Sequence, residues 1–356
     1  MKAAVVTDVN KIEILDIPIP QPGPYQALVK VLACGFCNGT DTKIVEGHWQ
    51  GLSPFPYILG HETVAEVIDC GKKTRYLKPG DWILQSRIED YPELGLGSAW
   101  GGFVEYAVAT DWKAMQEDNM PLPNEFFVSQ QKIPKDMNLV DAVMSITLKE
   151  VYSALLHFGV KLGDSVLIFG DGPVGISMVS CAKLMGANPI IICGHHNDRL
   201  NLAATMGATH IINTKENDLD LYISKLYPKG IDLVVDVIGD NTLIQKGLDL
   251  INDSGKVGIY GFSGNSEILL NWSKSPSRWT LDYLVVPKLD LLIQSHAPVI
   301  QAIHNGLLAP SEIVTDILPL SKVQKTFELT RSRKTLKAMI DMSLDDQNEG
   351  EKKDEA

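Results

Sequence analysis

Two cysteines stand three residues apart in the stretch "ACGFCNGTDTKIVEGHW" (33–49), followed by Thr40, Asp41, Lys43 and His48. The spacing Cys34-x-x-Cys37 has three chemical meanings: half of a zinc knuckle, a dithiol redox pair, or one working thiolate beside an incidental neighbour. Further on, "LGHETVAEVIDCG" sets His61 and Glu62 just before a β-prone run. A second signal is "SVLIFGDGPVGISMVSCAKLMGA", where Gly170-x-Gly172-x-x-Gly175 follows a β-run and opens an apolar-periodic helix through Pro173 and Val174. Glycines in that pattern permit a tight turn, close approach of backbone to a pyrophosphate and close helix–strand packing. The helix start adds free N–H donors and the positive end of the dipole. The motif predicts a dinucleotide site.

The next strand sets the expected nucleotide. NAD sites usually carry an acid at its end, accepting from both ribose hydroxyls. Here "PIIIC" runs into Gly194, His195, His196, Asn197, Asp198 and Arg199, and the acid's position falls at Gly194. Glycine removes the carboxylate that would repel a 2′-phosphate, while His195, His196 and Arg199 can donate to one, so NADP is expected over NAD. Asp198 is expected to cap the following helix.

The elements that hold these residues come in two textures. Residues 1–150 are rich in Pro and Gly, with short β-prone runs ("YQALVKVLA", "TVAEVIDC", "DWILQS", "GGFVEYAVA") between turn residues, as in an all-β barrel or sandwich. From 151 the runs "SVLIFG", "PIIIC", "HIIN", "DLVVDVIG" and "GKVGIYGF" alternate with helix-length segments. Continuous apolar strands with intervening helices predict a parallel, doubly wound sheet covered on both faces. After about 295 the pattern predicts a helix, an extended piece and another helix, and "LKAMIDM" a strand that rejoins the first domain. Residues 114–131 are expected to form a polar surface excursion, and the acidic tail 343–356 to be disordered.

Composition narrows the partners. A net charge of −12 gives no footprint for nucleic acid. No apolar run approaches the roughly 20 residues that span a bilayer, and the first residues lack the pattern of a signal peptide. Five scattered cysteines argue against a disulfide framework and for a reducing compartment, hence a cytoplasmic protein.

The segments "CGFCNGTD", "LGHETVAEV", "KPGDWIL", "GGFVEY" and the glycine run, in this order and spacing, resemble the zinc-dependent medium-chain dehydrogenase/reductase superfamily. The resemblance implies a Rossmann domain (151–295) inserted into a mostly-β GroES-like catalytic domain (1–150 plus 296–342), with a zinc ion in the cleft between them. It implies Cys37 and His61 as zinc ligands and Glu62 as a further ligand or a nearby carboxylate that can exchange with water, a set with an open position that polarises an alcohol or carbonyl oxygen. Cys34 is then a packing residue, since no second CxxC completes a Cys₄ site. Asn38 looks inserted relative to the family. The register that results makes Thr40 the relay hydroxyl and Lys43 the relay base, with His48 a weaker candidate and Asp41 fixing the loop. The stretch "QSRIEDYPELGLGSAWGGF" lacks the cysteines of a structural zinc, so one metal per chain is expected, with Trp100 lining the substrate pocket. The usual further ligand position falls at Ser145, Ile146 or Thr147, none of them a zinc ligand, with Glu150 as a substitute. Lys337 matches a basic residue that contacts the cofactor pyrophosphate, and Val237 and Ile238 are expected near the nicotinamide. The implied activity is hydride transfer between NAD(P) and a secondary alcohol or ketone, the substrate being a polyol, cyclitol or sugar-like molecule. A dimer or tetramer is also implied. Two other readings stand beside this one: a zinc-free NADPH reductase of quinones or enones on the same scaffold, and a non-catalytic nucleotide-binding protein.

Overall fold

A computed structural model of the chain describes residues 1–49, 52, 55–122, 125–262 and 267–344. It divides into two compact units, residues 1–146 with 310–356, and residues 147–309. The first unit is organised around strand β1 (Gln26–Phe36), where Ala27, Val29, Val31 and Ala33 are buried in alternation before both faces close over Cys34–Phe36. The short helix α1 (Thr40–Val45) follows it. Strand β2 (Glu62–Cys70) lies antiparallel to β1, with Glu62 opposite Gly35. A smaller four-stranded sheet, including Lys2–Asp8 and Lys11–Asp16, completes the β framework. Phe36 and Phe103 stack at 5.8 Å in the core between. The segment 114–131 is not a surface excursion throughout: Phe127, Val128, Ser129 and Gln130 are buried, and the Gln130 side chain accepts from Thr110 N–H and donates to Gln85 C=O. Residues 123 and 124 lie outside the description.

Helix α2 (Leu139–Phe158) leads into the second unit, whose strands are β3 (Val166–Phe169), β4 (Ile190–Gly194), β5 (His210–Asn213), β6 (Ile231–Asp236), β7 (Ile251–Ile259) and β8 (Trp279–Tyr283). All pair in parallel, in the order β5-β4-β3-β6-β7-β8. Helix α3 (Pro173–Leu184) follows β3, and α4 (Asn197–Met206) follows β4. The order reverses between β3 and β6, the switch point where such sheets bind ligands. Five of the strands coincide with the apolar runs. The sixth, β8, carries mostly half-exposed or exposed side chains, and so gives no comparable signal.

Helix α5 (Leu289–His304) is continuous and belongs to the second unit, so the chain returns to the first at 310 rather than 296, and leaves it at 146 rather than 150. The return ends in β9 (Ala338–Asp341), which pairs antiparallel with β1 on the edge opposite β2 and sets Ala338 against Phe36. Of the acidic tail, residues 345–356 lie outside the description. No described helix is long and apolar enough to cross a membrane.

Candidate metal centre and nucleotide loop

The β1 ladder assembles the first site. Cys37 follows the end of β1, His61 precedes β2, and Lys337 precedes β9, so antiparallel pairing on both edges brings them to one end of the central strand. Gly60, at φ +105°, turns the chain into His61 where a side chain would meet Phe103. Cys37 Sγ, a His61 ring nitrogen and a Glu62 carboxylate oxygen lie within 4.8 Å of one another. Among the described residues this is the sole group of three or more such side chains that could hold a metal ion.

Asp41, fully buried, fixes two of the three. Its Oδ2 accepts from Cys37 N–H at 2.8 Å, and its Oδ1 lies 3.2 Å from His61 Nδ1. With Nδ1 turned to Asp41, Nε2 is the nitrogen left to ligate. Burial opposes the imidazolium, but the Asp41 charge holds His61 well above the ordinary histidine range, and metal binding requires that proton to leave. Thr40 N–H donates to Cys37 Sγ at 3.4 Å. His61 Nδ1, Asp41 Oδ1, Glu62 Oε2 and Asn38 Oδ1 are buried and lack a well-aligned hydrogen bond. Three of these nevertheless face an ion-pair partner, His61 Nδ1 and Asp41 Oδ1 each other at 3.2 Å and Glu62 Oε2 the Lys337 ammonium at 2.6 Å, so of the four only Asn38 Oδ1 is left without one.

Lys337 departs from expectation. Rather than being free for a pyrophosphate, its ammonium is buried and sits 2.8 Å from Glu62 Oε1 and 2.6 Å from Oε2. Burial disfavours this charge, yet Glu62 keeps the lysine above its usual range. Gly35 leaves room for the pair, since a Cβ there would collide with the Glu62 carboxylate.

The remaining residues of this region are placed as follows. Cys34 is buried in the core cluster and its thiol is pushed up by burial and by the Asp41 and Glu62 charges, a packing residue. Asn38 donates to Leu336 C=O. Thr40 opens α1 and Lys43 is half-buried on it, burial lowering the ammonium and the nearby Cys37 raising it. His48 is exposed, 3.6 Å from Glu46. The Trp100 ring lies 5.2 Å from that of His61 and 6.4 Å from that of Trp49, on a backbone at φ +66° that few bulky residues adopt. Ser145 is buried and bonded to Ala142 C=O, and Glu150 belongs to the second unit.

In the second unit the three glycines have different reasons. Gly170 adopts φ +123° and packs against Val237 and Ile238, and a Cβ on Gly175 would collide with Gly170 C=O. Gly172 has ordinary extended backbone, and a Cβ there would meet nothing within 4 Å. Neither left-handed backbone nor packing requires glycine at 172, where it is the N-cap of α3 and leaves the backbone bare for close approach of a ligand. Pro173 and Val174 open α3, proline occupying a position whose N–H would be unpaired anyway.

At the end of β4, His196 is the residue before α4, and Asp198 lies inside the first turn rather than at the cap. His195 is exposed, and His196 and Arg199 are partly exposed. Two residues here were passed over by motif reasoning. Asp171 occupies a variable position of the glycine pattern, yet its carboxylate reaches the 195–196 turn. Burial works against its charge, and the N–H groups of His196 and His195 more than offset that, holding it below the usual carboxylate range. Lys149, on α2, is buried and its ammonium is pushed down to about 7 by burial.

A mostly-β unit with a Cys/His/Glu cluster, interrupted by a doubly wound parallel sheet with a glycine-rich first turn, defines the class of zinc-type nicotinamide dehydrogenases. Residues 23–121 match the family model of the alcohol dehydrogenase GroES-like domain and residues 173–279 that of the zinc-binding dehydrogenases, together more than half of the chain. The chain is 27% identical over 371 residues to a sorbitol dehydrogenase of Bacillus subtilis, covering 96% of this chain and 97% of that protein. It is 25% identical over 350 residues to an NADP-dependent isopropanol dehydrogenase of Thermoanaerobacter brockii, covering 94% and 97%. An alcohol dehydrogenase of Thermus sp. ATN1 shares the fold with a TM-score of 0.80, at 23% identity over 96% of this chain and 99% of that one. The chain belongs to the zinc-dependent medium-chain dehydrogenase/reductase superfamily.

Proposed function

We propose that this chain is a zinc-dependent, NAD(P)-linked oxidoreductase that interconverts a secondary alcohol and its ketone, the substrate being a polyol, cyclitol or sugar-like molecule. The observation that carries the reading is the convergence of Cys37, His61 and Glu62 ligand atoms within 4.8 Å. One sulfur, one nitrogen and one carboxylate oxygen suit zinc, which when bound there polarises an alcohol or carbonyl oxygen. The nucleotide, cradled by Gly170, Gly172, Pro173, Val174 and Gly175, supplies the hydride acceptor or donor. Asp41 holds His61 and the Cys37 backbone in place, and Lys337 restrains Glu62. Thr40 Oγ1 and Lys43 Nζ carry the substrate proton outward. Trp100 forms a wall of the substrate pocket, an aromatic face suited to the C–H face of a ring-shaped polyol. One catalytic zinc serves each chain. Gly194, His195, His196 and Arg199 favour NADP, and the family resemblance favours a homo-oligomer. Five free thiols suit a reducing compartment.

The test is an activity screen of purified protein over polyols, cyclitols and sugar alcohols with NAD and NADP, before and after chelation. Turnover lost on chelation and restored by zinc is expected. Cys37→Ala should lose the metal and roughly ten-thousandfold in kcat/KM, the scale of a Lewis acid's contribution. Undiminished turnover after chelation, or in Cys37→Ala, contradicts the proposal.

A further inference from the structure

Asp171 is only 8% exposed, and its Oδ2 accepts three hydrogen bonds. They come from His195 N–H at 2.8 Å, His196 N–H at 2.8 Å and His196 Nδ1 at 3.0 Å. Across from it stands Gly194, where an added Cβ would collide with Cβ, Cγ and Oδ2 of Asp171. The space from which a strand-end acid would project is therefore filled by a carboxylate arriving from the glycine loop of the adjacent strand, so glycine at 194 does not clear the place of negative charge as its sequence suggested; three donors offset that charge instead. An acid at 194 is excluded while Asp171 is present. The Asp171 oxygen that faces the turn is consumed by the chain's own donors, so it is not offered to a ribose hydroxyl. Of the other acids nearby, Glu216, past the end of β5, is likewise engaged, accepting from Asn197 at 3.1 Å and Asn213 at 3.2 Å, and Asp198 is exposed in the first turn of α4. What the turn presents is the His196 ring, Nδ1 held by Asp171 and Nε2 turned away. An imidazole carrying a proton on each nitrogen donates to a carboxylate at Nδ1 and to a phosphate at Nε2.

We propose that Asp171 sets the nucleotide preference of this chain. It takes the place of the strand-end acid, holds the 195–196 turn and aims His196, and so favours an adenosine ribose carrying a 2′-phosphate over one with a free 2′-hydroxyl. Asp171 is a positioning residue that acts through His196. The inference rests on the reading of the second unit as a nicotinamide-nucleotide site.

Calorimetric titration of the full chain with adenosine 2′,5′-bisphosphate and with 5′-AMP tests it without turnover. The wild-type chain should bind the bisphosphate at least about tenfold tighter than AMP, the scale of one charge-assisted contact. Asp171→Asn and Asp171→Ala should bring that ratio to within about threefold, with AMP affinity little changed. His196→Ala should do the same, and combining it with Asp171→Asn should cost nothing further, because the two residues form one unit. Asp171→Ala with Gly194→Asp should favour AMP. If the alanine variant fails to fold by circular dichroism, the isosteric asparagine variant carries the test. Equal weakening of both ligands would assign Asp171 a merely structural role and overturn the proposal. Tighter bisphosphate binding by Asp171→Asn, or a wild-type preference for AMP, overturns it too. Fragment binding without turnover of any alcohol refutes the dehydrogenase reading and leaves these ratios decisive, whereas binding of neither fragment overturns both.

Discussion

The metal centre and the nucleotide loop are built on opposite plans. The first gathers Cys37, Asp41, His61, Glu62 and Lys337 from separate segments, and its three ionic side chains other than Cys37 and His61 are nearly or fully buried. The second uses one contiguous run in which backbone geometry and two obligatory glycines create the cradle. A site made of buried charges fails when a charge is deleted, because its partner is left uncompensated. A site made of bare backbone fails when atoms are added.

The largest expected effect follows from the first rule. Lys337→Met strands Glu62 in the interior and should cost about 3–5 kcal/mol of stability in the metal-free protein, read by urea unfolding. Adding Glu62→Gln should recover most of that loss. If Lys337→Met is as stable as wild type, the pair is not the buried contact described here. Next, Asp41→Asn keeps the shape but weakens the hold on His61 and on Cys37 N–H, so zinc affinity should fall about 10–100-fold by competition with a chelating dye. Unchanged affinity would remove Asp41 from the support of the site.

The second rule is sharpened by two alanines. Gly175→Ala meets Gly170 C=O and should destabilise the chain by about 1–3 kcal/mol. Gly172→Ala meets open space and loses only the N-cap preference for glycine, so stability should fall by no more than about 1 kcal/mol while nucleotide affinity falls. Equal thermal shifts for the two variants would erase the distinction. The last effect is read as a slope against pH and concerns Lys149, whose folded-state pKa of about 7 lies below its unfolded value. The unfolded chain then holds the extra proton above pH 7, so stability rises with pH from about 7 to about 10. Relative to Lys149→Met, wild type should gain up to about 1.4 kcal/mol per pH unit across that window. Parallel stability curves for the two proteins would show that Lys149 does not titrate there.

The two plans also explain what was legible in the sequence. The glycine loop, five of six parallel strands and the four β-runs of the first unit could be read because each signal is local. The Cys34–Cys37 ambiguity resolves through burial, which spacing does not encode. Lys337 was placed at the pyrophosphate because nothing local shows that β9 lies beside β1 and delivers the ammonium to Glu62. Asp171 was overlooked for a related reason: its partners lie across a parallel strand pair, at a position the glycine pattern leaves variable. The continuity of α5 moved the domain boundary, since a helix that runs through Pro298 looks divided in sequence.

The central claim is a zinc ion held by one sulfur, one imidazole nitrogen and one carboxylate oxygen. X-ray absorption at the zinc edge of the purified, active protein, with metal content determined on the same sample, tests it most directly. The expected result is about one zinc per chain with a single Zn–S distance near 2.3 Å and otherwise nitrogen and oxygen neighbours. Active protein without zinc, or zinc bound by two or more sulfurs, would contradict it.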